Sequence, residues 1–457
     1  MSLFSSLGKH ARKSRNHSIG MQGFLVLWST QSLSQLGSQM TSFALLIWVY
    51  QQSNSALASA LLAACTYAPY ICSGVLMSAV VDRCNVKVVM VLCDGASALC
   101  TVAIVVLYAK GSLELPYLYA LSAVSGFMGS LQQPASEVAI SAVTTTANRQ
   151  RAGGLRSLSY AVNTMLVPLL ATALLSAWGF PTVVVVDLTS FVLASVCLMT
   201  VVRIPVLNMG GTAEDRESYG QALLGAWTWL RGHHDILKAL LFMAVVNLFA
   251  SMDDAALTPM VLSRTGSQHS LGIVNATAGL AMLVGAIIVT LSPRPADRMH
   301  TMILSMLCSF GTGNMLLALP LGLPWWCVGI ACCWVAVPIE MTNQDAMMRD
   351  AVPLGMQGRV YAFRNALQYA TIPCGSALAG WLIDRVFTPM MGHAPRPGWA
   401  VLFTGGAGGA EGAVNLDGGQ ARGAGAGMML MVDGLLGVLL CLCALYDHRR
   451  AAGTAAM

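Results

Sequence analysis

Charged residues are scarce in this sequence. Asp, Glu, Lys and Arg make up only 10% of its 457 residues, whereas hydrophobic residues make up 56%. A water-soluble domain carries roughly 25% charged residues. So few charges cannot cover a water-facing surface, and the composition therefore excludes a soluble domain and indicates an integral membrane protein.

Motifs of known catalytic and nucleotide-binding sites are also missing. The sequence contains no Walker loop, no His-Glu-x-x-His helix and no Gly-x-Ser-x-Gly turn. Its 13 Cys lie mostly inside apolar runs and form no framework of paired loop cysteines. We therefore expect no enzymatic activity, no cofactor, no metal site and no ATP-driven step. The net charge of +5 needs no nucleic-acid partner, because loops on one side of a membrane explain it.

Long apolar runs, in contrast, follow one another along the chain. We count twelve runs of about 20 residues or more, the length that a helix needs to cross a bilayer. Backbone groups in lipid must be paired within the chain, so these runs are expected to be helices. The predicted fold class is an all-α membrane protein with twelve transmembrane helices in two six-helix bundles.

A long polar connection divides the runs into six plus six. An Asp-Arg pair follows the second run of each half (Asp82-Arg83 and Asp297-Arg298), as expected for a transporter built from repeats. The predicted divisions are a cytoplasmic N-terminal arm (1–23), an N-terminal bundle (24–203), a central cytoplasmic loop (204–235), a C-terminal bundle (236–446) with a Gly-rich, flexible outer loop (388–427), and a cytoplasmic tail (447–457).

Basic residues fall almost entirely on one side of this topology. All but five of the 25 Lys and Arg lie in the connections on the side of the two termini. The five exceptions are Lys110, Arg264, Arg385, Arg396 and Arg422. Cytoplasmic loops retain Lys and Arg, so both termini of this multi-pass protein are predicted to face the cytoplasm.

Acidic residues inside the predicted spans are candidates for a functional site. Asp253 and Asp254 lie side by side in the seventh run, and Glu340 lies well inside the tenth. A carboxylate within the bilayer is costly unless it is protonated, paired or water-exposed. The aspartates form either a proton site or a partner for a cationic substrate, or they cap a kink before Pro259. Arg364, in the eleventh run, would neutralise one of these carboxylates or hold a loop.

Amide side chains are candidates for a substrate surface. Gln31, Gln35 and Gln39 recur every four residues and would form one polar stripe on a helix. Gln133 and Asn163 add further amides in the fourth and fifth runs. The stripe would either face a cavity or form hydrogen bonds between helices.

Several segments resemble a known family in their order and spacing. Besides Asp82-Arg83 with Lys87, they lie at 31–50, 133–135, 202–205, 257–259, 358–364 and 384–387. Together they resemble the major facilitator superfamily, and within it the macrolide-efflux and enterobactin-exporter-like branch.

This resemblance implies a secondary active exporter in the bacterial inner membrane, coupled to protons. The substrate would be a hydrophobic or amphipathic natural product, peptide, siderophore or drug, so the expected partners are a small molecule, protons and the lipid bilayer. The resemblance also implies that Asp82, Arg83 and Lys87 form a gating loop, although a solvated turn is the alternative. It further implies that spans one, four, seven and ten line the central cavity. Two other functions stay open: an importer of siderophores or small metabolites on the same fold, and a membrane sensor or assembly partner that transports nothing.

Overall fold

The computed structural model describes residues 2–81, 85–143, 149–200, 219–393, 398–404 and 416–455. These residues are almost entirely helical, and no β-strand occurs among them. The first eight helices are α1 Ser2–Ser53, α2 Ala56–Val81, α3 Val86–Ala109, α4 Leu115–Val143, α5 Arg149–Trp178, α6 Phe180–Thr200, α7 Tyr219–Gly232 and α8 His234–Thr265. The next eight are α9 Gln268–Leu291, α10 Arg298–Cys308, α11 Met315–Ala318, α12 Leu323–Ala351, α13 Leu354–Leu382, α14 Thr388–Gly392, α15 Val401–Thr404 and α16 Gly418–Ala455.

Two π-helical segments interrupt this α-helical path. One covers Ser309–Asn314 between α10 and α11, and the other covers Ile383–Phe387 between α13 and α14. A short 3-10 turn covers Gly398–Ala400. π-Helical turns are rare and occur often at functional sites. Both segments bear residues of the candidate site described below.

Seven helices in the described part of the chain are long and apolar enough to cross a membrane. They are Val86–Ala109, Phe180–Thr200, His234–Thr265, Gln268–Leu291, Arg298–Ala318, Leu323–Ala351 and Gly418–Arg450. Shorter apolar stretches lie at Ala56–Ile71 and Val162–Trp178. The all-α membrane fold class is thereby confirmed, while the count of twelve spans stays a prediction.

Large apolar side chains are exposed on these helices. Leu99 is 71% exposed, Trp178 70% and Leu291 79%. Water-soluble monomers rarely present large contiguous apolar patches to solvent. The hydrocarbon of a bilayer would cover these side chains, as expected for a multi-pass membrane protein.

Helix ends follow from local sequence. Asn85 caps the start of α3 by accepting a hydrogen bond from Lys87 N, and Ser267 caps α9 by accepting one from Ser270 N. α8 ends at Thr265 and is capped by Gly266, whose φ of 66° lies in the left-handed region that glycine adopts without strain. Gly266 and Ser267 alone therefore connect α8 to α9, so these two helices are neighbours.

Three regions predicted as arm or loop contain helix. α1 begins at Ser2, within the predicted arm, and α7 lies within the predicted central loop. The predicted Gly-rich loop is helical at Thr388–Gly392 and from Gly418 onward.

Close packing explains why the Gly-rich stretch after residue 417 is helical. A Cβ atom at Gly427 would come within 2.6 Å of Ala318 O, and one at Gly423 within 2.9 Å of Arg264 Cγ. Arg264 Nη2 itself donates to Ala318 O at 2.9 Å and to Phe403 O at 3.3 Å. The glycines thus allow α16 to approach the partly buried Arg264, instead of serving as a flexible connection.

The chain forms two compact units. Unit 1 comprises Met1–Ser42, Pro69–Asn163 and Ala177–Arg216, and unit 2 comprises Phe43–Ala68, Thr164–Ser176 and Glu217–Met457. Unit 2 thus includes the α1–α2 turn and part of α5 together with all helices from α7 onward. The predicted division into 24–203 and 236–446 stays a prediction.

Unit 1 has a small apolar core shared by four helices. Leu27 of α1, Met90 of α3, Ala135 of α4 and Leu198 of α6 are buried together. Ser32 Oγ and Ser159 Oγ, 2.9 Å apart, join α1 to α5. A small residue of α1, Ser32, therefore serves helix packing in unit 1.

Unit 2 is built around α8. This helix packs against α13 and α16, while α9 packs against α12. Small residues permit these contacts: a Cβ atom at Gly375 would lie 2.6 Å from Leu248 O of α8, and one at Gly285 would lie 3.1 Å from Val335 C of α12. The resulting close approach of α8, α13 and α16 determines which side chains meet in the site.

Candidate functional site

Asp253 and Asp254 point in different directions from α8. Asp253 is partly buried, and its Oδ2 accepts a hydrogen bond of 2.7 Å from Asn314 Nδ2. Asp254 is exposed. Consecutive residues on an α-helix are rotated by about 100° about its axis. The two carboxyl groups therefore have separate surroundings despite being neighbours in sequence.

Asp433 of α16 is a member of the site that sequence reasoning missed. It is fully buried, and its carboxyl group lies within hydrogen-bonding reach of Asp253. Neither Asp433 oxygen receives a hydrogen bond, and neither does Asp253 Oδ1. The sequence does indicate Asp433 as a candidate, because it is a lone acidic residue within the apolar run 428–440.

Asn314 is held in place by a tight contact with α16. It is the last residue of the π-helical segment Ser309–Asn314 and is buried. A Cβ atom at Gly434 would lie 2.9 Å from Asn314 Cβ and 3.0 Å from Phe310 O, so only glycine fits without a shift. Asn314 Oδ1 accepts a hydrogen bond of 3.3 Å from Cys333 Sγ. The amide is therefore fixed with its N–H group toward Asp253.

Glu340 and Arg364 lie in a second polar group of unit 2. Glu340 is buried on α12. Arg364 Nη1 pairs with Asp345 Oδ1 at 2.5 Å, and its guanidinium lies 4.8 Å from the centre of the Tyr361 ring. The charges that act on Glu340 are those of Arg364 and Asp345. Arg364 thus neutralises Asp345 directly and Glu340 only through space.

Gln31 belongs to a separate polar cluster in unit 1. It is buried, and Gln132 Nε2 donates to its Oε1 at 3.5 Å. Both glutamines reach Asp94 of α3. Gln31 therefore joins α1 to α4 by a hydrogen bond between helices, beside Asp94 of α3.

The other predicted amides do not share this cluster. Gln35 and Gln133 are exposed, and Asn163 is buried in α5. The polar stripe of α1 is thus divided into a buried first position and an exposed second one.

The predicted gating loop is described only at Lys87, since Asp82 and Arg83 lie outside the described residues. Lys87 Nζ donates to Met199 O at 2.9 Å. Met199 lies in the last turn of α6, where the helix dipole favours a cation. Lys87 therefore joins α3 to the end of α6.

The turn between α1 and α2 is bound to α13. Asp384, in the π-helical segment Ile383–Phe387, accepts hydrogen bonds from Ala56 N at 3.0 Å and Leu57 N at 2.9 Å. It also accepts one from Ser55 Oγ at 2.5 Å, and Ser55 Oγ accepts one from Ala58 N at 3.1 Å. A carboxylate at a helix N-terminus satisfies free N–H groups and meets a favourable dipole.

Other polar contacts at this turn reach α8, α9 and α16. Tyr50 Oη lies 2.5 Å from Ser263 Oγ. Gln268 Nε2 donates to Gln51 Oε1 at 3.2 Å, and Arg422 Nη2 donates to Asn54 Oδ1 at 2.9 Å. The α1–α2 turn is therefore held by four helices of unit 2.

Comparison with known proteins now gives the family. The sequence profile of the Major Facilitator Superfamily matches residues 27–376. The chain belongs to the Major Facilitator Superfamily. The membership predicted from the sequence is confirmed, and the protein is a transporter of this superfamily.

Two relatives cover most of this superfamily member. Macrolide efflux protein A of Streptococcus pyogenes is 23% identical over 380 residues, which are 79% of this chain and 90% of the relative. The uncharacterized MFS-type transporter YfiS of Bacillus subtilis (strain 168) is 24% identical over 384 residues, 79% of this chain and 88% of the relative.

Solved structures of other transporters share the fold. A mutant of the nucleoside transporter NupG has a TM-score of 0.70 at 11% identity, over 94% of this chain and 99% of that one. A bacterial homolog of the human lysosomal transporter Spinster has a TM-score of 0.66 at 14% identity, over 93% and 97% of the two chains. The chain therefore shares its fold with these transporters.

Proposed function

We propose that this transporter exports a hydrophobic or amphipathic compound, such as a natural product, peptide, siderophore or drug, in exchange for protons. It would act in the bacterial inner membrane with both termini in the cytoplasm. The direction is supported by the relative named Macrolide efflux protein A, which is similar over 79% of this chain.

The observation that carries the proposal is Asp254, which is exposed on α8 as a residue although nearby protein atoms desolvate its carboxyl group. Eleven residues separate Asp254 from the end of α8 at Thr265, so it lies about 17 Å from that end. At such depth an accessible carboxylate must face water instead of lipid. A proton or the cationic group of an amphipathic compound would neutralise it. Because the two compete for one charge, binding of the compound would favour release of the proton.

The contacts of the α1–α2 turn suggest how one side of the transporter closes. With both termini in the cytoplasm, this turn faces the outside. The hydrogen bonds that Asp384 accepts from Ala56 N and Leu57 N would then hold the outer side shut. Release of the compound to the outside would require these bonds to break.

Substrate accumulation in whole cells tests this proposal. We would express the wild-type protein in a bacterium that lacks its own multidrug exporters and measure uptake of ethidium and of a macrolide, with and without an uncoupler. We expect the wild type to lower accumulation and the uncoupler to remove this effect.

The matched variants are Asp254→Asn and Asp235→Asn. Asp254→Asn keeps the shape but removes the charge, and we expect efflux to slow by about tenfold or more, as for loss of an interaction worth over ~1.4 kcal/mol. Asp235 lies exposed in the first turn of the same helix, so Asp235→Asn should leave efflux unchanged.

Other outcomes would contradict the proposal. Equal accumulation with and without the gene, across a broad panel of compounds, would argue for a non-transporting role. Higher accumulation in cells with the gene would indicate an importer. Normal, uncoupler-sensitive efflux by Asp254→Asn would show that Asp254 is not required.

A further inference from the structure

The Asp253–Asp433 pair has fewer hydrogen-bond donors than its oxygens require. Asn314 Nδ2 donates to Asp253 Oδ2, but Asp253 Oδ1 and both oxygens of the fully buried Asp433 receive nothing. A buried polar atom without a partner costs about 1–3 kcal/mol, and more when it is charged. If both carboxyl groups were ionised, three of their four oxygens would therefore be buried without a hydrogen-bond donor.

Charges around the pair do not supply the missing partner. The titratable groups that act on the pair are Asp254 of α8 and the Cys333 thiol of α12. No Lys or Arg of the described residues pairs with either carboxyl group. Two carboxyl groups this close, in an apolar interior, cannot both carry a negative charge.

We propose that Asp253 and Asp433 form a proton-binding site in which one proton is shared between the two carboxyl groups. The O–H group of one carboxyl donates to an oxygen of the other, and Asn314 supplies a second donor to Asp253. One added proton leaves the pair with a single negative charge.

A metal ion fits this site less well than a proton. Asn314 directs its N–H group toward the carboxylates, and its carbonyl oxygen is engaged by Cys333. A cation would require the carbonyl oxygen instead. Within the described ranges, no group of three or more His, Cys, Asp and Glu side chains could hold a metal ion.

The position of Asp254 gives the site a route to water and to the substrate. Asp254 is exposed, whereas its sequence neighbour Asp253 contacts the buried Asp433. The negative charge of Asp254 acts on Asp253 and helps to retain the shared proton. A cation bound at Asp254 would cancel that charge, and the pair would then release its proton. This exchange role rests on the proposed function, whereas the shared proton does not.

Infrared spectroscopy of the purified full-length protein tests the shared proton without any substrate. A protonated carboxyl group gives a C=O stretching band that a carboxylate lacks, and the band shifts in D2O. We expect this band in the wild type at neutral pH and its loss or shift in Asp433→Asn. Asp235→Asn is the control, because Asp235 lies exposed in the first turn of α8, far along the helix from Asp253.

Two infrared results would overturn the site. One is the absence of a protonated-carboxyl band in the wild type at neutral pH. The other is an unchanged band in both Asp433→Asn and Asp253→Asn. Each asparagine keeps the volume and an N–H donor and so mimics the protonated state. If one of the two single variants fails to fold, the other still allows the test to be made.

Transport by membrane vesicles tests the exchange role separately. Vesicles that contain Asp433→Asn should still equilibrate ethidium down its own gradient, but an imposed pH gradient should no longer drive its accumulation. Normal pH-driven accumulation by Asp433→Asn would overturn the exchange role. If the wild type shows no pH-driven movement of ethidium or a macrolide, the proposed function fails, and the infrared result still decides the proton site.

Discussion

The surroundings of a single side chain depend on where its residue lies around the helix axis. Asp253 and Asp254 were both predictable as candidates, because a carboxylate in a span is costly. The sequence could not say which one is buried, since that depends on the neighbours of α8. Asp433 was missed for the same reason: its partner lies 180 positions earlier in the chain, on another helix. The type of residue was predictable, and the pairing was not.

Asp297 offers a prediction that depends on charge at a helix end. Burial alone would raise the pKa of Asp297, but the hydrogen bond from His300 N at 2.9 Å and the contact with His448 Nε2 at 2.5 Å outweigh it and lower the pKa. A lowered pKa adds stability that is complete above the unfolded value of about 4 and is lost as the pH falls through the folded value.

We therefore expect Asp297→Asn to destabilise the protein at neutral pH by about 0.5 kcal/mol, since asparagine still caps α10 but loses the charge. The measurement is the thermal unfolding temperature of the wild type and the variant in detergent. The difference between them should shrink as the pH falls below about 4. An equal difference at neutral and acidic pH would show that the charge of Asp297 contributes nothing.

Whole helices are brought together where small residues face a neighbour's backbone. Glycines such as Gly375 and Gly380 permit helices to approach closely, but the sequence alone does not identify the helices that they contact. In unit 2, a Cβ atom at Gly380 would lie 2.6 Å from Leu57 Cα, so α13 approaches the first turn of α2 at this glycine. Asp384 lies at the next turn and binds the N-terminus of α2. Gly380 thus lets α13 approach the start of α2, and Asp384 binds the free N–H groups there.

A reversible cross-link tests whether this contact must open. Gln268 Nε2 lies 3.2 Å from Gln51 Oε1, so cysteines at both positions would lie within reach of a short, reducible bis-methanethiosulfonate cross-linker. We expect cross-linking of the Gln51→Cys/Gln268→Cys variant to reduce ethidium efflux to the level of cells without the gene, and a reducing agent to restore it. The single-cysteine variants are the controls. Normal efflux by the fully cross-linked protein would show that the turn stays bound throughout transport.

At the scale of the whole molecule, the sequence was most informative. Scarce charge and repeated apolar runs predicted an all-helical membrane protein of the Major Facilitator Superfamily, and the family match over residues 27–376 confirms that membership. The high glycine content of 418–427 predicted a flexible loop, but these residues are part of the helix α16. Local composition cannot distinguish a glycine that frees the backbone from one that admits a neighbour.

The topology prediction can be checked by reporter fusions. Lys110, at the end of α3, is one of the five basic residues on the minority side, and Gly211 lies in the predicted central loop, outside the described residues. A fluorescent reporter that matures only in the cytoplasm should be active after Gly211 and inactive after Lys110. Activity at both sites, or at neither, would contradict a cytoplasmic position of both termini.

The π-helical segments also have a consequence for the ancestry of this transporter. A π-helical turn holds more residues than an α-helical one, so a one-residue insertion into a helix can create it. Removing one residue from Ser309–Asn314 would rotate the following chain by about 100° and turn Asn314 away from Asp253. In an alignment of superfamily members, a one-residue gap at this segment should therefore accompany loss of the acidic residue at position 433. Such an insertion would be a heritable mark by which superfamily members that keep the buried carboxyl pair could be distinguished from members that lack it.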